Sequence, residues 1–430
     1  MKKFYVKDVF LMNEGEEIIL KGWVHKIYDL GHVNFVRLRD KTGIVQLVAE
    51  KEQLVGLRNE ACIKVKGTLS KNDKAINGME VQVKEIEVLG KVYYDKLPFD
   101  INGQKINAAL ETQLDHRNVS LKKPSVMAVF KIQEEIGECF RKFLKLNNFT
   151  EIHTPKILAS GTEGGSELFT VNYFDHRAFL AQSPQFYKQM MVGVGFEKVF
   201  EVGHAYRAEL HNTYRHLNEY VSLDAEMGFI EDENEIMDLE EGFMNYLFEN
   251  LRETCARELK MYNITLPEKV SIPRIPLAEA QKIVYEKYGK RSPKGDLNAE
   301  GERLFSEYVK EKYDSDFVYL TKYPLSKRPM YTMPDDTIEG ASKSFDLIYK
   351  GLEITTGGQR IHDHDMLVEA IKNKGFKPEE FEFYTENFRY GMPPHGGFAI
   401  GLERLTMQIL GLDNIREASL LPRDMKRITP

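Results

Sequence analysis

Cysteine is scarce in this sequence: of 430 residues only Cys62, Cys139 and Cys255 carry a thiol. Three thiols so far apart make neither a disulfide framework nor a Cys/His zinc site, and they point to a reducing compartment. Equally absent is any run long and apolar enough to span a bilayer, and the opening Met1-Lys-Lys-Phe-Tyr-Val-Lys-Asp8 lacks the apolar core of a signal peptide. The expectation is a cytoplasmic protein with no membrane partner. No P-loop occurs, and no Gly-x-Gly-x-x-Gly follows a predicted strand. A nucleotide bound here would therefore be held by arginines and metal rather than by a helix amino terminus.

The composition is that of an ordinary soluble globular protein, and 430 residues exceed what one hydrophobic core usually organises, so two or three domains are expected. The net charge of -7 is unevenly placed: residues 1–96 hold 17 Lys plus Arg against 14 Asp plus Glu, a surplus of three, and the rest carries -10. A mildly basic piece on an acidic body suits a protein that meets RNA locally, because only the contacting face must neutralise phosphates.

Between Ile18 and Leu89, five short alternating runs separated by turn residues predict a five-stranded antiparallel barrel. Residues 97–124, with Pro98, Gly103 and Pro124, read as a hinge. Beyond it Val129, Ile132, Ile136, Cys139, Phe140 and Phe143 recur at helical spacing. Strand-like runs at Val199–Tyr206, Tyr220–Phe229, Phe345–Thr355 and Gly397–Ile400 alternate with helices, which predicts an α+β unit over 125–430, an antiparallel sheet with flanking helices. The segment 261–328 reads as an inserted helical subdomain with no active-site role.

Two separated segments carry the chemistry. Phe200-Glu-Val-Gly-His-Ala-Tyr-Arg207-Ala-Glu209 and Gly396-Gly-Phe-Ala-Ile-Gly-Leu-Glu403-Arg404-Leu405 each set an arginine beside a glutamate. A guanidinium at Arg207 can hold a phosphoryl oxygen through paired donors, and Arg404, lifted by a glycine-rich turn, can lie over an adenine ring. These segments resemble motifs two and three of the class II aminoacyl-tRNA synthetases. Gln182-Ser-Pro-Gln-Phe-Tyr-Lys188-Gln189 narrows the resemblance to the aspartyl-tRNA synthetases of archaeal type, and it runs through nearly the whole chain.

The resemblance implies a class II catalytic sheet joined to an OB-fold anticodon-binding domain over 1–96. It implies a homodimer built on the helix and Phe149-Thr-Glu-Ile-His-Thr-Pro155. It also implies a reaction in which a carboxylate attacks ATP and a tRNA hydroxyl then attacks the adenylate. Arg207, Glu209, Arg215, His216, Tyr220, Glu353 and Arg404 are then the ATP residues, with Tyr220 and Arg404 as the faces of an adenine sandwich. Asp346, Glu353 and Thr356 are the Mg2+ residues. Asp346 and Glu353 stand seven residues apart, which in one strand means opposite faces, so a shared site requires a bulge or bend near Gly351.

L-aspartate is assigned to Lys188 and Arg360, two cations for its side-chain carboxylate, with Asp224 orienting Lys188, and Glu167 and Gln185 for its ammonium. The glycine-rich Ser160–Phe169 resembles the family's closing loop. Phe35 would stack an anticodon base and Gln46 read its edge. His25 stands where enzymes strict for tRNA(Asp) tend to carry tryptophan, which implies that tRNA(Asn) is accepted as well. The competing readings are a strictly discriminating aspartyl enzyme, an asparaginyl-tRNA synthetase, disfavoured by Lys188 and Asp224, and a non-catalytic synthetase-derived RNA-binding protein, disfavoured by the presence of Arg207, Glu353 and Arg404. A tRNA-independent amide-forming paralogue would not need the amino-terminal barrel.

Overall fold

Alternation of buried with more exposed residues builds most of the amino-terminal unit. In β1 (Glu17–Asp29), β2 (Asn34–Asp40), β3 (Gly43–Ala49), β4 (Cys62–Lys71) and β5 (Met79–Gly90), residues such as Leu20, Val36, Leu38, Val45, Leu47, Ile63, Val65 and Val81 point inward. The structure is a computed structural model that describes residues 4–29, 34–161, 167–210 and 213–430. The five strands close into a barrel in the order β1-β2-β3-β5-β4, as the alternation predicts. All pairs are antiparallel except β3 with β5. A bulge interrupts the β1–β2 pairing between Val24 and Lys26, and His25 is the extra residue.

The chain divides into two compact units, Met1–Lys123 and Pro124–Pro430. In the second, the predicted amphipathic helix runs Pro124–Leu146. The strands that follow are β6 (Thr150–Glu151), β7 (Ile157–Leu158), β8 (Thr170–Tyr173), β9 (His176–Leu180), β10 (Lys198–Tyr206), β11 (Glu219–Gly228), β12 (Arg274–Pro276), β13 (Phe317–Thr321), β14 (Ser344–Tyr349), β15 (Leu352–Arg360) and β16 (His395–Gly401). Eight of them form one sheet in the order β12-β13-β14-β15-β16-β11-β10-β6, while β7, β9 and β8 form a small second sheet. The main sheet is antiparallel through its centre and parallel at both edges, β12 with β13 and β10 with β6.

The pleat gives that sheet two faces of opposite character. On one, Phe200, Leu223, Ala225, Phe345, Leu347, Phe398 and Ile400 are buried against the helices Pro124–Leu146 and Asn234–Thr254. Phe140 of the first helix meets Phe200, Phe243 and Phe398 edge to face, at centroid distances of 5.9, 5.2 and 6.3 Å. The other face carries polar side chains and small residues, and it is the floor of the site described below.

Two readings change in the structure. The run Phe345–Thr355, expected as one strand, is the hairpin β14–β15, turning at Lys350 and Gly351, both with positive φ. A β-carbon at Gly351 would stand 3.0 Å from the Arg303 Cα, so the turn seats directly on the helix Ala299–Tyr313. The segment expected as an inserted helical subdomain does hold helices, Leu277–Tyr288 and Ala299–Tyr313, but its strands β12 and β13 extend the main sheet.

A carboxyl sits in the apolar layer. Glu240, on the helix Asn234–Thr254, is fully buried, and burial pushes it up to about 8, only partly offset by Thr355 and Tyr319. Its folded-state proton affinity exceeds that of the unfolded chain, so the folded state binds more protons between about 4.5 and about 8 and loses stability as pH rises through that window. Glu240→Gln is therefore expected to unfold at higher urea than the parent at pH 8, with the gap shrinking by about 1.4 kcal/mol per pH unit on acidification. A gap independent of pH would show that Glu240 does not carry this proton.

Candidate active site

Register fixes which side chains share the polar face. Glu201, Gly203 and Ala205 of β10 lie opposite Asp224, Ser222 and Tyr220 of β11, and the same alternation continues past Ala205 to Arg207 beyond β10 and past Asp224 to Glu226 along β11. Across the next ladder, Ala399 faces Asp224 and Gly401 faces Ser222. Gly397 lies opposite Glu226, and a β-carbon there would come within 2.2 Å of the Glu226 Oε2, so only glycine leaves room for that carboxylate.

At one end of this face lies a solvent-open cleft with about 670 Å³ of empty space. Arg207, Glu209, Arg215, His216, Tyr220, Glu353, Thr356 and Arg404 all line it. Arg207 is pinned through its backbone, its N–H donating to the Asn218 carbonyl at 2.9 Å and its carbonyl accepting from the Asn218 amide at 2.7 Å. Its guanidinium lies 5.9 Å from the Tyr220 ring centroid. Because β16 ends at Gly401 and a helix begins at Leu402, Arg404 falls on the first turn. Its Nη1 donates to the Glu353 carbonyl at 3.0 Å and lies 3.5 Å from Glu353 Oε1. The turn is anchored by Glu403, whose two carboxyl oxygens each accept from the Val221 N–H at 3.1 Å.

The hairpin bulge brings the acids together. Leu347 pairs with Thr355 but Ile348 pairs with Glu353, so Ile354 is the extra residue and Glu353 shares a face with Thr356, whose hydroxyl donates to Glu353 Oε1 at 3.2 Å. Asp346 faces Thr356 across the ladder, so all three residues lie on one side. The bend expected near Gly351 is thus a turn plus a bulge at Ile354. Asp346 itself does not line the cleft. It is 5 % exposed, with the Arg328 Nη2 at 2.9 Å. Burial pushes its carboxyl up to about 6, against the pull of Arg328 and with Glu353 adding to the rise.

At the other end of the face is a buried charge cluster. Lys188 Nζ, 1 % exposed, lies 3.0 Å from Asp224 Oδ1 and 3.2 Å from Glu226 Oε2. Arg360 Nε donates to Glu226 Oε1 at 3.0 Å, and its Nη2 donates to the Gly397 carbonyl at 3.0 Å and reaches Gln185 Oε1 at 3.4 Å. Burial opposes ionisation of Glu226, yet Arg360 and Lys188 outweigh it and hold the carboxyl below the usual carboxylate range. Glu167 stands apart: it is exposed and borders a separate cavity with Arg177 and Phe381, while its carbonyl accepts from the Ala208 N–H at 2.8 Å. Residues 162–166 of the expected closing loop and His211 and Asn212 of the arginine loop lie outside the described residues.

On the barrel, Phe35, Arg37 and Gln46 alternate with buried neighbours and share the outer face. Phe35 lies opposite Tyr28 and Arg37 opposite Gln46. Arg37 and Lys26 lie 5.1 and 5.0 Å from the Tyr28 ring centroid. Gln46 donates to Glu80 at 2.9 Å. His25 differs from these in being buried. As the bulge residue it is covered to 6 % exposure, with Arg39 at 3.3 Å and Glu60 at 3.9 Å. Burial pushes its imidazole down to about 4, with Arg39 acting in the same direction.

Residues 109–425 match the family model of class II tRNA synthetases (D, K and N), and residues 18–89 match that of the OB-fold nucleic acid binding domain. The chain belongs to the class II tRNA synthetases. A Thermus thermophilus protein named aspartate--tRNA(Asp/Asn) ligase is 48% identical over 418 residues, 97% of each chain. A Pyrococcus abyssi protein named aspartate--tRNA(Asp) ligase is 44% identical over 440 residues, covering all of both. The structure of asparaginyl-tRNA synthetase from Pyrococcus horikoshii complexed with asparaginyl-adenylate superposes with a TM-score of 0.94 at 31% identity over the full length of each chain.

In this synthetase the residues missed from sequence are Glu226, Arg328 and Glu302, whose Oε2 lies 3.0 Å from Arg215 Nη1. Glu226 was open to detection: Asp224 was already assigned, and period two places Glu226 on the same face of the same strand. Among the described residues no helix is long and apolar enough to cross a membrane.

Proposed function

We propose that this synthetase activates L-aspartate with ATP and transfers it to tRNA(Asp) and to tRNA(Asn). The observation that carries the reading is one sheet face with an arginine-lined cleft at one end and the buried pair Lys188 and Arg360 at the other. In the first step the α-carboxylate of aspartate attacks the α-phosphorus and pyrophosphate leaves. Arg207 neutralises the charge gathering on the phosphoryl oxygens, Tyr220 and Arg404 enclose the adenine, and Arg215 and His216 meet the outer phosphates. In the second step a tRNA terminal hydroxyl attacks the anhydride and AMP leaves.

Lys188 and Arg360 receive the side-chain carboxylate. With Asp224 and Glu226 they form a charge-balanced set, and the substrate ammonium balances the side-chain carboxylate, so the one net negative charge of bound aspartate is that of the α-carboxylate that turns toward ATP.

Mg2+ fits this site. Glu353 and the Thr356 hydroxyl line the cleft and offer oxygen donors to a cation, and Asp346 lies on the same side of the sheet behind them, its Oδ1 ion-paired with Arg328. Mg2+ is satisfied by one or two carboxylates with waters and phosphates, and when bound it would supply charge neutralisation to the phosphates. On the barrel, Phe35 and Gln46 read the anticodon. A groove beside the helix Pro124–Leu146, where Phe130, Val202, Leu402 and Leu420 lie among the charged Glu134, Glu135, Glu138 and Arg141, supports a second copy as its occupant and thus a homodimer. The enzyme works in the cytoplasm.

Labelled aspartate is expected to charge both transcripts, tRNA(Asp) and tRNA(Asn), and pyrophosphate exchange to depend on aspartate and not on asparagine. Charging of the tRNA(Asp) transcript alone would end the dual assignment. Exchange driven by asparagine would end the aspartate assignment itself.

A further inference from the structure

We infer that Glu302, from the segment to which the sequence reading gave no active-site role, is a positioning residue that aims Arg215 at the outer phosphates of ATP. The inference rests on the reading of the cleft as an ATP site. Arg215 comes from the loop between β10 and β11, and an arginine on a loop has about 2 kcal/mol of rotamer entropy to lose before it can grip a phosphate. Glu302 removes that freedom in advance. Its Oε2 lies 3.0 Å from Arg215 Nη1, and the carboxyl is itself held, its side chain only 9 % exposed. A guanidinium has five N–H donors in a rigid fork, so an anchor at Nη1 leaves others for the ligand.

Three features of the fold place that anchor. The helix Ala299–Tyr313 starts at Asn298, whose side chain accepts from the Gly301 N–H at 2.9 Å and so fixes the first turn that carries Glu302. The β14–β15 turn rests on the same helix at Arg303 through Gly351, and the bulge just beyond that turn presents Glu353. Helix, hairpin and arginine loop therefore meet at one corner of the cleft. Buried ion pairs contribute little to stability but fix geometry, and this one fixes the geometry of a cation that lines the cleft.

The test is pyrophosphate exchange by the full chain, with ATP and aspartate varied separately, for Glu302→Ala, Glu302→Gln, Arg215→Ala and the double alanine variant. Arg215→Ala is expected to raise the ATP KM by about 10- to 100-fold, as loss of a charge-assisted contact does. Glu302→Ala should raise it by about tenfold while the aspartate KM stays within about twofold. A merely structural role would move both constants together. The double variant should be no worse than Arg215→Ala alone, because the anchor has nothing left to aim. Glu302→Gln keeps the shape and one acceptor, gives a smaller rise of the same kind, and carries the test where the alanine variant does not fold. If Arg215→Ala raises the ATP KM but Glu302→Ala and Glu302→Gln leave it unchanged or lower it, or if the two alanine effects multiply, the inference is overturned while the ATP reading stands. If Arg215→Ala leaves the ATP KM unchanged, the reading of Arg215 fails first and takes the inference with it.

Discussion

Arg207→Ala is expected to slow aspartate-dependent pyrophosphate exchange by about 10²- to 10³-fold, the loss that follows removal of one preorganised donor from a reacting centre. Arg207 reaches its position through backbone contacts, its N–H and carbonyl both bonded to Asn218, so truncating the side chain removes the charge without releasing the strand. The guanidinium lies 5.9 Å from the Tyr220 ring centroid, and both residues line the cleft where a nucleotide would bind. Binding of tRNA to the barrel should survive, because Phe35 and Gln46 belong to the other compact unit. Fluorescence anisotropy of a labelled transcript measures that binding alongside the exchange rate. Full exchange activity in the variant would remove Arg207 from the chemistry, and loss of both properties would mean that the substitution acts through the fold.

Lys188→Met is expected to be the more damaging change to the protein as a whole. The lysine is held by two carboxylates in a site with 1 % exposure, and its loss leaves Asp224 and Glu226 sharing the single charge of Arg360. Breaking a buried ion pair from one side costs about 3–5 kcal/mol, which chemical denaturation resolves easily. Aspartate-dependent exchange should disappear with it. The double variant Lys188→Met with Asp224→Asn separates the two effects. It restores charge balance, so stability should recover in large part, while aspartate use should stay lost because the cation for the side-chain carboxylate is still gone. Recovery of exchange in the double variant would show that Lys188 serves only to balance the cluster.

Most of the scaffold was legible because period-two alternation and period-3.6 apolar spacing report burial directly, as Val36, Leu38, Val45 and Leu47 do in the barrel and Ile132, Ile136 and Phe140 do in the long helix. The motif residues were legible as chemistry, and the structure gathers those assigned to ATP at one cleft. What escaped were features that depend on an irregular backbone or on distant segments meeting. The bulge at Ile354 reverses which acids share a face, and nothing local in the sequence marks it. At His25 a bulge likewise sets a buried side chain where simple alternation does not place it. Glu302 became visible only when the helix that bears it was packed against the β14–β15 turn, more than 80 residues from its partner Arg215.

Tyr220, Ser222, Asp224 and Glu226 form one row along a single strand, so both halves of the site hang from the same rigid ruler. At about 3.3 Å per residue the row spans about 20 Å. The end proposed for the nucleotide and the end proposed for the amino acid are spaced by backbone geometry and not by any contact between side chains. Such a ruler lets evolution redraw one end without disturbing the other: the choice of amino acid can be rewritten around positions 224 and 226 while the gauge that delivers its carboxylate to phosphorus stays as it was.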